Sequence, residues 1–338
     1  MKQKNFCICI LAALFVLPTV GAFAQQTIQI LETFNFPAGG VGTLPQKIND
    51  GGEIAGVIDA FTGERRGFVR FRNGNFTASI VEPNDTAGFT DLRGINNSRL
   101  VNGAYIAVDG LFHGFFATGN SFTTFDVPGA TNTILLADNN AGDFCGGFST
   151  ATNSNFTAFI SVGGTITTIA VPDATTSFAY AINSSNEVVG QYTDSSGGSH
   201  AWFRDAAGTV TAPVDPPGAT AAVLFGLNDL GFWVGRFTDA SGVERGYVQT
   251  PSGSVLVLDN PNASLTSLNG INNSGLMCGR STDLSGVAHG IVAKIGHQAA
   301  GFDALDAQRA DAGKRSRQDL ARLQRARSGP QRLLLPLD

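Results

Sequence analysis

An asparagine recurs six times along this chain, at intervals of 43 to 47 residues, and each copy stands in a short polar turn. A proline turn recurs with the same period, at intervals of 44 to 46 residues. The asparagines are Asn49, Asn96, Asn139, Asn183, Asn228 and Asn272, and the prolines are Pro37, Pro83, Pro128, Pro172, Pro217 and Pro261. A unit of this length repeated six times predicts a propeller or a solenoid, because one unit is too small to bury its apolar face alone.

One unit, residues 227–270, contains four short apolar segments separated by turn residues. The segments are Trp233 to Phe237, Gly246 to Val248, Val255 to Leu258 and Leu265 to Leu268. Low total charge and abundant Gly, Phe, Thr and Val favour strands joined by tight turns over helices. Four strands in one such unit are typical of a propeller blade. A β-solenoid is the competing interpretation, although its coils usually have shorter periods.

The two ends of the repeat region complement each other. The sixth unit stops after Gly290 to Lys294 and lacks a proline-turn strand. At the other end, Thr27 to Phe36 matches that strand as it stands at Phe122 to Val127. The sequence therefore predicts an all-β fold, a six-bladed β-propeller of four-stranded blades whose ring is closed by the N-terminal strand completing the last blade. An open array would need capping units with polar outer faces, and the sequence shows none.

In such a ring, the strand that ends at each asparagine turn is expected to be innermost. The residue just before the Ile-Asn position is small in five units, as crowding near an axis requires. These residues are Gly94, Ala137, Ala181, Gly226 and Gly270. Lys47 stands at this position in the first unit. Two interpretations remain open: a looser first blade at the closure seam, or a positive group that points into the channel.

Residues 1–24 have the features of a signal peptide. Two lysines precede an apolar stretch from Phe6 to Val20, and a small-x-small cleavage site follows at 22–24. The apolar stretch is too short for a transmembrane anchor. The mature chain is expected to start at Gln25 and to be exported, to the extracellular space or the periplasm, without spanning the membrane.

The repeat region, residues 25–298, is acidic. It contains 12 Lys and Arg and 22 Asp and Glu, so its formal net charge is 12 − 22 = −10. Binding to nucleic acid depends on neutralising phosphates with Lys and Arg. The composition therefore argues against nucleic acid as a partner.

Two cysteines remain after the predicted cleavage site, and an exported protein with two cysteines usually forms a disulfide. Cys145 and Cys278 occupy the same position in the third and sixth units. In a ring of six, those units face each other, so the two α-carbons would be far beyond the ~7 Å that a disulfide allows. The sequence predicts two buried free thiols.

Three histidines, His113, His200 and His289, occupy the same position in units two, four and six. Three equivalent positions in a ring are too far apart to bind one metal ion, whose ligands lie ~2 Å away. The other units carry Arg66, Thr157 and Arg245 there, so the position accepts several polar residues. The sequence predicts no catalytic residue, no cofactor-binding residue and no metal ligand.

Two further sets of polar residues have a structural explanation from sequence alone. The Asp-x-x-Gly segments at 194–197, 239–242 and 283–286 resemble calcium loops only loosely, because one Asp before a glycine turn needs only its own backbone. Arg65, Arg66, Arg70 and Arg72 cluster in the first unit. We expect them on a solvated outer face, paired with Asp59 or Glu64, rather than in an anion site.

Residues 299–338 differ from the rest of the chain. They contain eight Lys and Arg, five Asp and one aromatic residue, Phe302. This composition predicts a charged, disordered C-terminal tail. Docking of the basic tail on an acidic surface is the alternative.

The repeated triplet resembles the bacterial extracellular repeat family called HAF, named for a His-Ala-Phe-like triplet. The matching triplets begin at Arg66, His113, Thr157, His200, Arg245 and His289. The Ile-Asn-Asn-Ser-Gly turn at 271–275 and the stretch at 122–130 belong to the same pattern, and the resemblance covers about residues 27 to 296. It implies secretion and a repeat architecture, and no activity that can be assigned to a residue here.

The sequence leads to one function hypothesis and one rival. The favoured hypothesis is a secreted, monomeric binding module for an extracellular ligand, glycan or protein, with no catalysis of its own. Lys47 and Arg93, which deviate from the repeat, are the residues selected for ligand binding. The rival is a propeller-based polysaccharide lyase or glycoside hydrolase, which needs carboxylates and cations converging at the mouth of the channel.

Overall fold

The computed structural model describes residues 25–37, 40, 42–60, 63–258 and 260–298. These residues form 23 β-strands and no helix, so the fold is all-β as predicted. The strands are β1 (Gln25–Phe34), β2 (Gly42–Ile48), β3 (Ile54–Asp59), β4 (Arg65–Arg70), β5 (Thr90–Ile95), β6 (Val101–Ile106), β7 (Phe112–Thr118), β8 (Ser121–Phe125), β9 (Asn132–Asp138), β10 (Phe144–Thr150), β11 (Asn153–Val162), β12 (Thr165–Thr168), β13 (Thr176–Ile182), β14 (Val188–Thr193), β15 (Ser199–Arg204), β16 (Val210–Thr211), β17 (Ala221–Leu227), β18 (Trp233–Thr238), β19 (Glu244–Gln249), β20 (Val255–Val257), β21 (Ala263–Ile271), β22 (Leu276–Asp283) and β23 (Ala288–Gln298).

Consecutive strands pair antiparallel within each repeat unit. Strands β5 to β8, β9 to β12 and β13 to β16 form three separate four-stranded sheets, which are units two, three and four. Unit five (β17 to β20), unit six (β21 to β23 with β1) and unit one (β2 to β4) belong to one eleven-stranded sheet. Within that sheet, single parallel bridges join the units, Glu244 to Leu265 and Gly42 to Ala288.

Unit one departs from the predicted four strands. Its last segment makes only isolated bridges, Gly67 with Ile80 and Arg70 with Phe76. Between these bridges, the backbone N–H of Val69 donates to the Thr77 hydroxyl at 3.0 Å. A side chain therefore supplies a bond that a neighbouring strand supplies in a regular ladder.

The N-terminal strand lies against the last strand of the chain. β1 pairs with β23, as the sequence predicts. Phe34 and Phe36 are each 8% exposed and pack with Ile54 and Phe68 of unit one. The backbone N–H of Phe36 donates to the Thr43 hydroxyl at 3.0 Å. β1 therefore contributes both to unit six and to the apolar cluster beside unit one.

The repeated triplet and a repeated glycine form the core of each unit. The third triplet residue is fully buried in all six units: Phe68, Phe115, Phe159, Trp202, Tyr247 and Ile291. In unit four, a Cβ on Gly190 would lie 2.0 Å from the carbonyl oxygen of Phe178 and 2.7 Å from the Trp202 ring. Glycine is required there because two neighbouring strands approach closely on either side.

The structure confirms two buried free thiols, Cys145 and Cys278. Burial raises the pKa of both thiols, that of Cys278 to about 12. The Cys145 thiol donates to the carbonyl oxygen of Ala179 at 3.4 Å. Both therefore behave as small apolar core side chains.

Residues Gln26–Gly296 form one compact unit. The predicted signal peptide, 1–24, and the predicted tail, 299–338, lie outside the described residues. Among the described residues, no helix is long and apolar enough to cross a membrane.

Candidate functional site

The six asparagine turns are linked to one another in a closed circle of hydrogen bonds. Asn49 Nδ2 donates to Asn96 O (3.1 Å), Asn97 N to Asn140 Oδ1 (2.9 Å), Asn139 Nδ2 to Asn183 O (3.1 Å), Ser184 N to Asp229 Oδ1 (2.9 Å), Asn228 Nδ2 to Asn272 O (3.0 Å) and Asn272 Nδ2 to Asn49 O (2.9 Å). Each turn therefore contacts the next one along the chain, and the sixth contacts the first. The turns surround a narrow polar cavity of about 90 Å³.

The repeated asparagine is needed because its side chain bonds in two directions. In unit two, the Asn96 side-chain oxygen accepts from the backbone N–H groups of Ser98 (3.0 Å) and Leu100 (3.1 Å) and so closes its own turn. In units one, three, five and six, the side-chain nitrogen donates to the carbonyl oxygen of the following turn. All six asparagines are buried, and all six side-chain oxygens accept from the backbone of their own turn, while the Asn183 nitrogen donates to Glu187 at 2.7 Å instead of to the following turn.

Each inner strand contains a bulge one residue before its axial position, which is small in five units and Lys47 in unit one. The pairing with the second strand shifts there in all six units, so that one residue is left unpaired. The bulged residues are Gln46, Arg93, Leu136, Tyr180, Phe225 and Asn269. A bulge re-aims a side chain. All six bulged residues line two adjoining cavities, which share Arg93 and Tyr180.

One of these cavities, of about 240 Å³, is lined by four arginines and is called the arginine cavity here. Its lining residues are Leu44, Gln46, Arg65, Arg93, Tyr180, Phe225, Arg236, Ser267, Asn269 and Arg280. They come from units one, two, four, five and six. Arg93, which the sequence analysis selected for ligand binding, is one of these lining residues.

Three of the four arginines are held by carboxylates. Arg93 Nη2 lies 2.6 Å from Asp91 Oδ2, and Arg65 Nε lies 2.9 Å from Asp59 Oδ1. Arg236 Nε lies 3.3 Å from an oxygen of Glu244. About a quarter of each of these arginine side chains is exposed, 27% for Arg65, 24% for Arg93 and 23% for Arg236. Each guanidinium therefore keeps donors that solvent or a ligand can reach.

Arg280 is the fourth arginine, and it differs from the others. Within the part of the chain that the structure describes, no hydrogen bond or ion pair reaches its guanidinium. Burial lowers the pKa of Arg280, and the positive charge of Arg236 lowers it further. A half-buried cation beside another cation is stabilised by a negative charge brought into the same space.

Lys47 is a second cation without a carboxylate partner among the described residues. Its Nζ donates to the carbonyl oxygens of Gln46 and Asn269, both at 3.4 Å. Burial lowers the pKa of Lys47 to about 8, and the charge of Arg93 also lowers it. Lys47 lines a cavity together with the small axial residues of the other units. This position is the one expected if Lys47 points into the channel, the second of the two interpretations left open by the sequence.

The paired cavities are also lined by aromatic and apolar side chains. Tyr180 and Phe225 meet edge to face with ring centroids 5.1 Å apart, and both line the arginine cavity. Phe178, Leu136 and Ile134 line the adjoining cavity of about 210 Å³. Units five, six, one and two thus supply cations, and units three and four supply mainly apolar side chains.

Asp138 is a functional candidate that the sequence analysis missed. It stands where the other units have Ile or Leu before the asparagine, and it lines both the polar cavity and the one that contains Lys47. Burial raises the pKa of Asp138 to about 7, although Asn102 Nδ2 donates to its carboxylate at 2.5 Å. An alignment of the six units shows Asp138 as the only charged residue among the six residues that precede the asparagines, and this signal could have identified it from sequence.

The triplet histidines do not enter any of these cavities. His113 bonds Asp126 (2.8 Å) through Nδ1 and Asp109 (3.1 Å) through Nε2. His200 bonds Asp215 (2.7 Å) and Asp194 (3.3 Å) in the same way. His200 therefore fastens the Asp-x-x-Gly turn at 194–197, and His113 the Asp109-Gly110 turn, to an aspartate just before the proline turn of the same unit. Hydrogen bonds to the paired aspartates raise the pKa of His200, and in His113 such bonds outweigh the effect of burial and raise the pKa as well.

These histidine pairs predict a pH-dependent stability. A histidine whose pKa is raised in the folded state contributes stability below its unfolded pKa of about 6.5, and this is lost as the pH rises through the folded value. Because the pairs are partly exposed, we expect about 1 kcal/mol in total. Between about pH 6 and pH 9, the Tm of the wild type should fall roughly 2–4 °C more than that of a His113→Gln/His200→Gln variant. Lys47 titrates in both proteins, so equal slopes in scanning calorimetry would contradict the assignment.

The Asp-x-x-Gly segments are turns, as predicted. In the segment at 239–242, Asp239 Oδ1 accepts from Ser241 N (2.9 Å) and Val243 N (3.0 Å), so its carboxylate serves its own turn. Asp194 and Asp283 bond the equivalent atoms of their turns. Among the described residues, no group of three or more His, Cys, Asp or Glu side chains is arranged to hold a metal ion.

The sequence predicts the arginines of unit one on a solvated outer face, and the structure places them in different environments. Arg65 and Arg66 have the predicted partners, Asp59 and Glu64, but of these two arginines only Arg66 is exposed, whereas Arg65 lines the arginine cavity and not a solvated outer face. The expectation of a solvated face is wrong for Arg70, which is buried, pairs with Glu32 at 2.5 Å and stacks over the Phe34 ring at 4.5 Å. The reason is that β1 covers this face of unit one.

Comparisons with known proteins inform the fold. No family model matches the chain, and no curated protein matches it. Among solved structures, a triple-arginine mutant of AofleA from Arthrobotrys oligospora is 11% identical with a TM-score of 0.51, over 82% of this chain and 91% of that chain. An Aleuria aurantia lectin mutant in complex with Fucα1-6GlcNAc is 9% identical with a TM-score of 0.49, over 80% and 94%.

A third solved structure, the Aleuria aurantia lectin described with a six-bladed β-propeller fold and a novel mode of fucose recognition, is 10% identical with a TM-score of 0.44, over 80% and 94% of the two chains. At such low identity, the likeness to AofleA is a likeness of fold alone. The arginines, bulges and cations described above are therefore features of this structure and are not inferred from the comparison.

Proposed function

We propose that the protein is an exported six-bladed β-propeller that binds an extracellular ligand in the arginine cavity and performs no chemistry of its own. The ring is closed by β1, which supplies the outer strand of unit six. The HAF resemblance, with the secretion that it implies, is part of the same proposal.

The ring architecture is supported by contacts between the first and the last unit. Asn272 Nδ2 donates to Asn49 O at 2.9 Å, and Asn269 Nδ2 donates to Pro45 O at 2.7 Å. Lys47 in turn donates to the carbonyl oxygen of Asn269. These three bonds join residues more than 220 positions apart in the chain. They are the bonds that a closed ring of six units requires and that an open array lacks.

The observation that carries the binding function is that the residues by which the units differ converge on one cavity. The bulge position holds six different residues, and all of them line the arginine cavity or its neighbour. The position after the second-strand glycine is arginine only in units five and six, as Arg236 and Arg280. Residues that repeat are explained by the needs of each unit, whereas these differences have no such structural role.

The rival hypothesis, a polysaccharide lyase or glycoside hydrolase, has one observation in its favour. Asp91 and Tyr180 line the same cavity next to the arginines. However, Asp91 is paired with Arg93 at 2.6 Å and lies 3.6 Å from Arg65. Burial raises the pKa of the Tyr180 phenol, so the phenol is a poor base near neutral pH. The binding function is therefore better supported.

A glycan array with the mature protein, followed by calorimetry on each hit, tests the proposal. We expect saturable binding of at least one carbohydrate class and no release of product from common neutral and acidic polysaccharides, with or without added divalent metal. Turnover of any of these polymers would favour the rival enzyme. Absence of binding to every glycan on the array would contradict a carbohydrate-binding module.

A further inference from the structure

We propose that the arginine cavity binds the anionic group of one acidic sugar ring, a carboxylate or a sulfate ester, and that Arg280 is the residue that pairs with it. This inference rests on the proposed binding function and names the chemical class of its ligand. The ring of the sugar would lie against the aromatic side chains of the cavity.

The charges around the cavity are unbalanced in the described residues. Arg65, Arg93 and Arg236 each have a carboxylate partner, whereas Arg280 has none. Lys47, next to the bulge residue Gln46, has only carbonyl oxygens as partners. Burial lowers the pKa of Arg280, and Asp59 and Glu244 oppose that shift through their negative charge, but they are already paired with Arg65 and Arg236, so four arginines share three carboxylates. A half-buried cation is costly unless it is paired, so an anion entering the cavity gains mainly from Arg280, while Lys47 lines the separate cavity between the axial residues.

The donors favour a planar or tetrahedral oxyanion. A guanidinium presents a fixed fork of N–H groups that matches two oxygens of a carboxylate, sulfate or phosphate. Ser267, the register partner of Arg280 on the neighbouring strand, lines the same cavity and is buried. A nucleic acid is disfavoured as the source of the anion because residues 25–298 have a formal net charge of 12 − 22 = −10.

The size and the aromatic side chains favour a single ring. The cavity of about 240 Å³ is smaller than the ~300–1,000 Å³ of typical ligand pockets. It is therefore large enough for one sugar residue at a time and not for an oligosaccharide. Tyr180 of unit four and Phe225 of unit five present aromatic rings to the same cavity. An aromatic surface combined with a few charged donors is typical of a site that orients a small polar ring.

Calorimetric titration with four probes tests the inference: glucuronate, galacturonate, glucose 6-sulfate and glucose. We expect at least one acidic sugar to bind tenfold or more tightly than glucose, and the first two probes against the third distinguish carboxylate from sulfate ester. Arg280→Met should weaken binding of that acidic sugar at least tenfold. Arg280→Lys keeps the charge without the fork and should weaken it severalfold. Arg66→Gln, an exposed arginine already paired with Glu64, is the matched control and should bind as the wild type does.

The outcomes separate this inference from the binding function itself. Equal affinity for glucose and the acidic sugars, or tight acidic-sugar binding that both Arg280 variants retain, would overturn the assignment. Binding of neutral glycans only would also overturn it and leave the binding function in place. If Arg280→Met does not fold, as judged by its melting curve, Arg280→Lys decides the result.

Discussion

Deletion of Thr27 to Phe36 is expected to unfold or aggregate the mature protein. The deletion removes β1 from β23 and exposes an unpaired strand edge, which is a template for association with other chains. It also removes Phe34 and Phe36 from the apolar cluster beside unit one. Loss of a buried phenylalanine costs roughly 3–5 kcal/mol, and the total stability of a domain is about 5–15 kcal/mol. Size-exclusion chromatography and thermal melting measure the effect.

Point variants test the same closure without removing the strand. Phe34→Ala should lower Tm by roughly 6–20 °C, because a loss of about 3–5 kcal/mol shifts Tm by about 2–4 °C per kcal/mol in a domain of this size. Leu31→Ala is the matched control on the same strand, since Leu31 is 49% exposed, and its Tm should change little. A deletion protein that melts within a few degrees of the intact one would show that β1 does not close the fold.

Reversal of the charge of Arg93 or Lys47 is expected to weaken ligand binding far more than removal of the triplet histidines. Arg93→Glu brings a carboxylate beside Asp91 into the arginine cavity, and Lys47→Glu removes a cation that has no counter-charge among the described residues. For an acidic ligand, we expect a loss of affinity of at least a hundredfold, about 2.8 kcal/mol. His113→Ala and His200→Ala should leave affinity within about threefold of wild type, because their partners lie outside the cavities.

Each charge variant needs a check that it folds, because both positions are half-buried. Arg93→Gln removes the cation without adding a charge and should show an intermediate loss of affinity, with a cooperative melt at a lower temperature because the buried Asp91 loses its 2.6 Å partner. The histidine variants should show normal affinity and lower stability. A catalytic turnover abolished by His200→Ala would refute both the absence of catalysis and the choice of ligand-binding residues by their deviation from the repeat.

The repeat period was sufficient to predict the local structure of this protein. Four strands in units two to five, the turn role of the asparagines and Asp-x-x-Gly segments, and the burial of Cys145 and Cys278 all follow from residue types at repeated positions. The pairing of β1 with β23 also followed, because the strand missing from the last unit matches the first segment of the chain. Repetition makes these features predictable, since each unit solves the same packing problem with the same residues.

Tertiary structure alone decided where the differences between units lead. Arg65, Arg93, Arg236 and Arg280 lie in four different units, and no sequence spacing indicates that they line one cavity. Arg93 reaches the cavity from a bulge, and a one-residue bulge leaves no pattern in the sequence. The other three arginines reach it from regularly paired strands of units one, five and six, which come together only in the assembled fold. The burial of Arg70 has the same origin, because β1 covers it from the far end of the chain. The packing within each unit is determined by residues that recur in the sequence. A site lined by several units forms only when the strands of those units are assembled, because its residues are far apart in the chain.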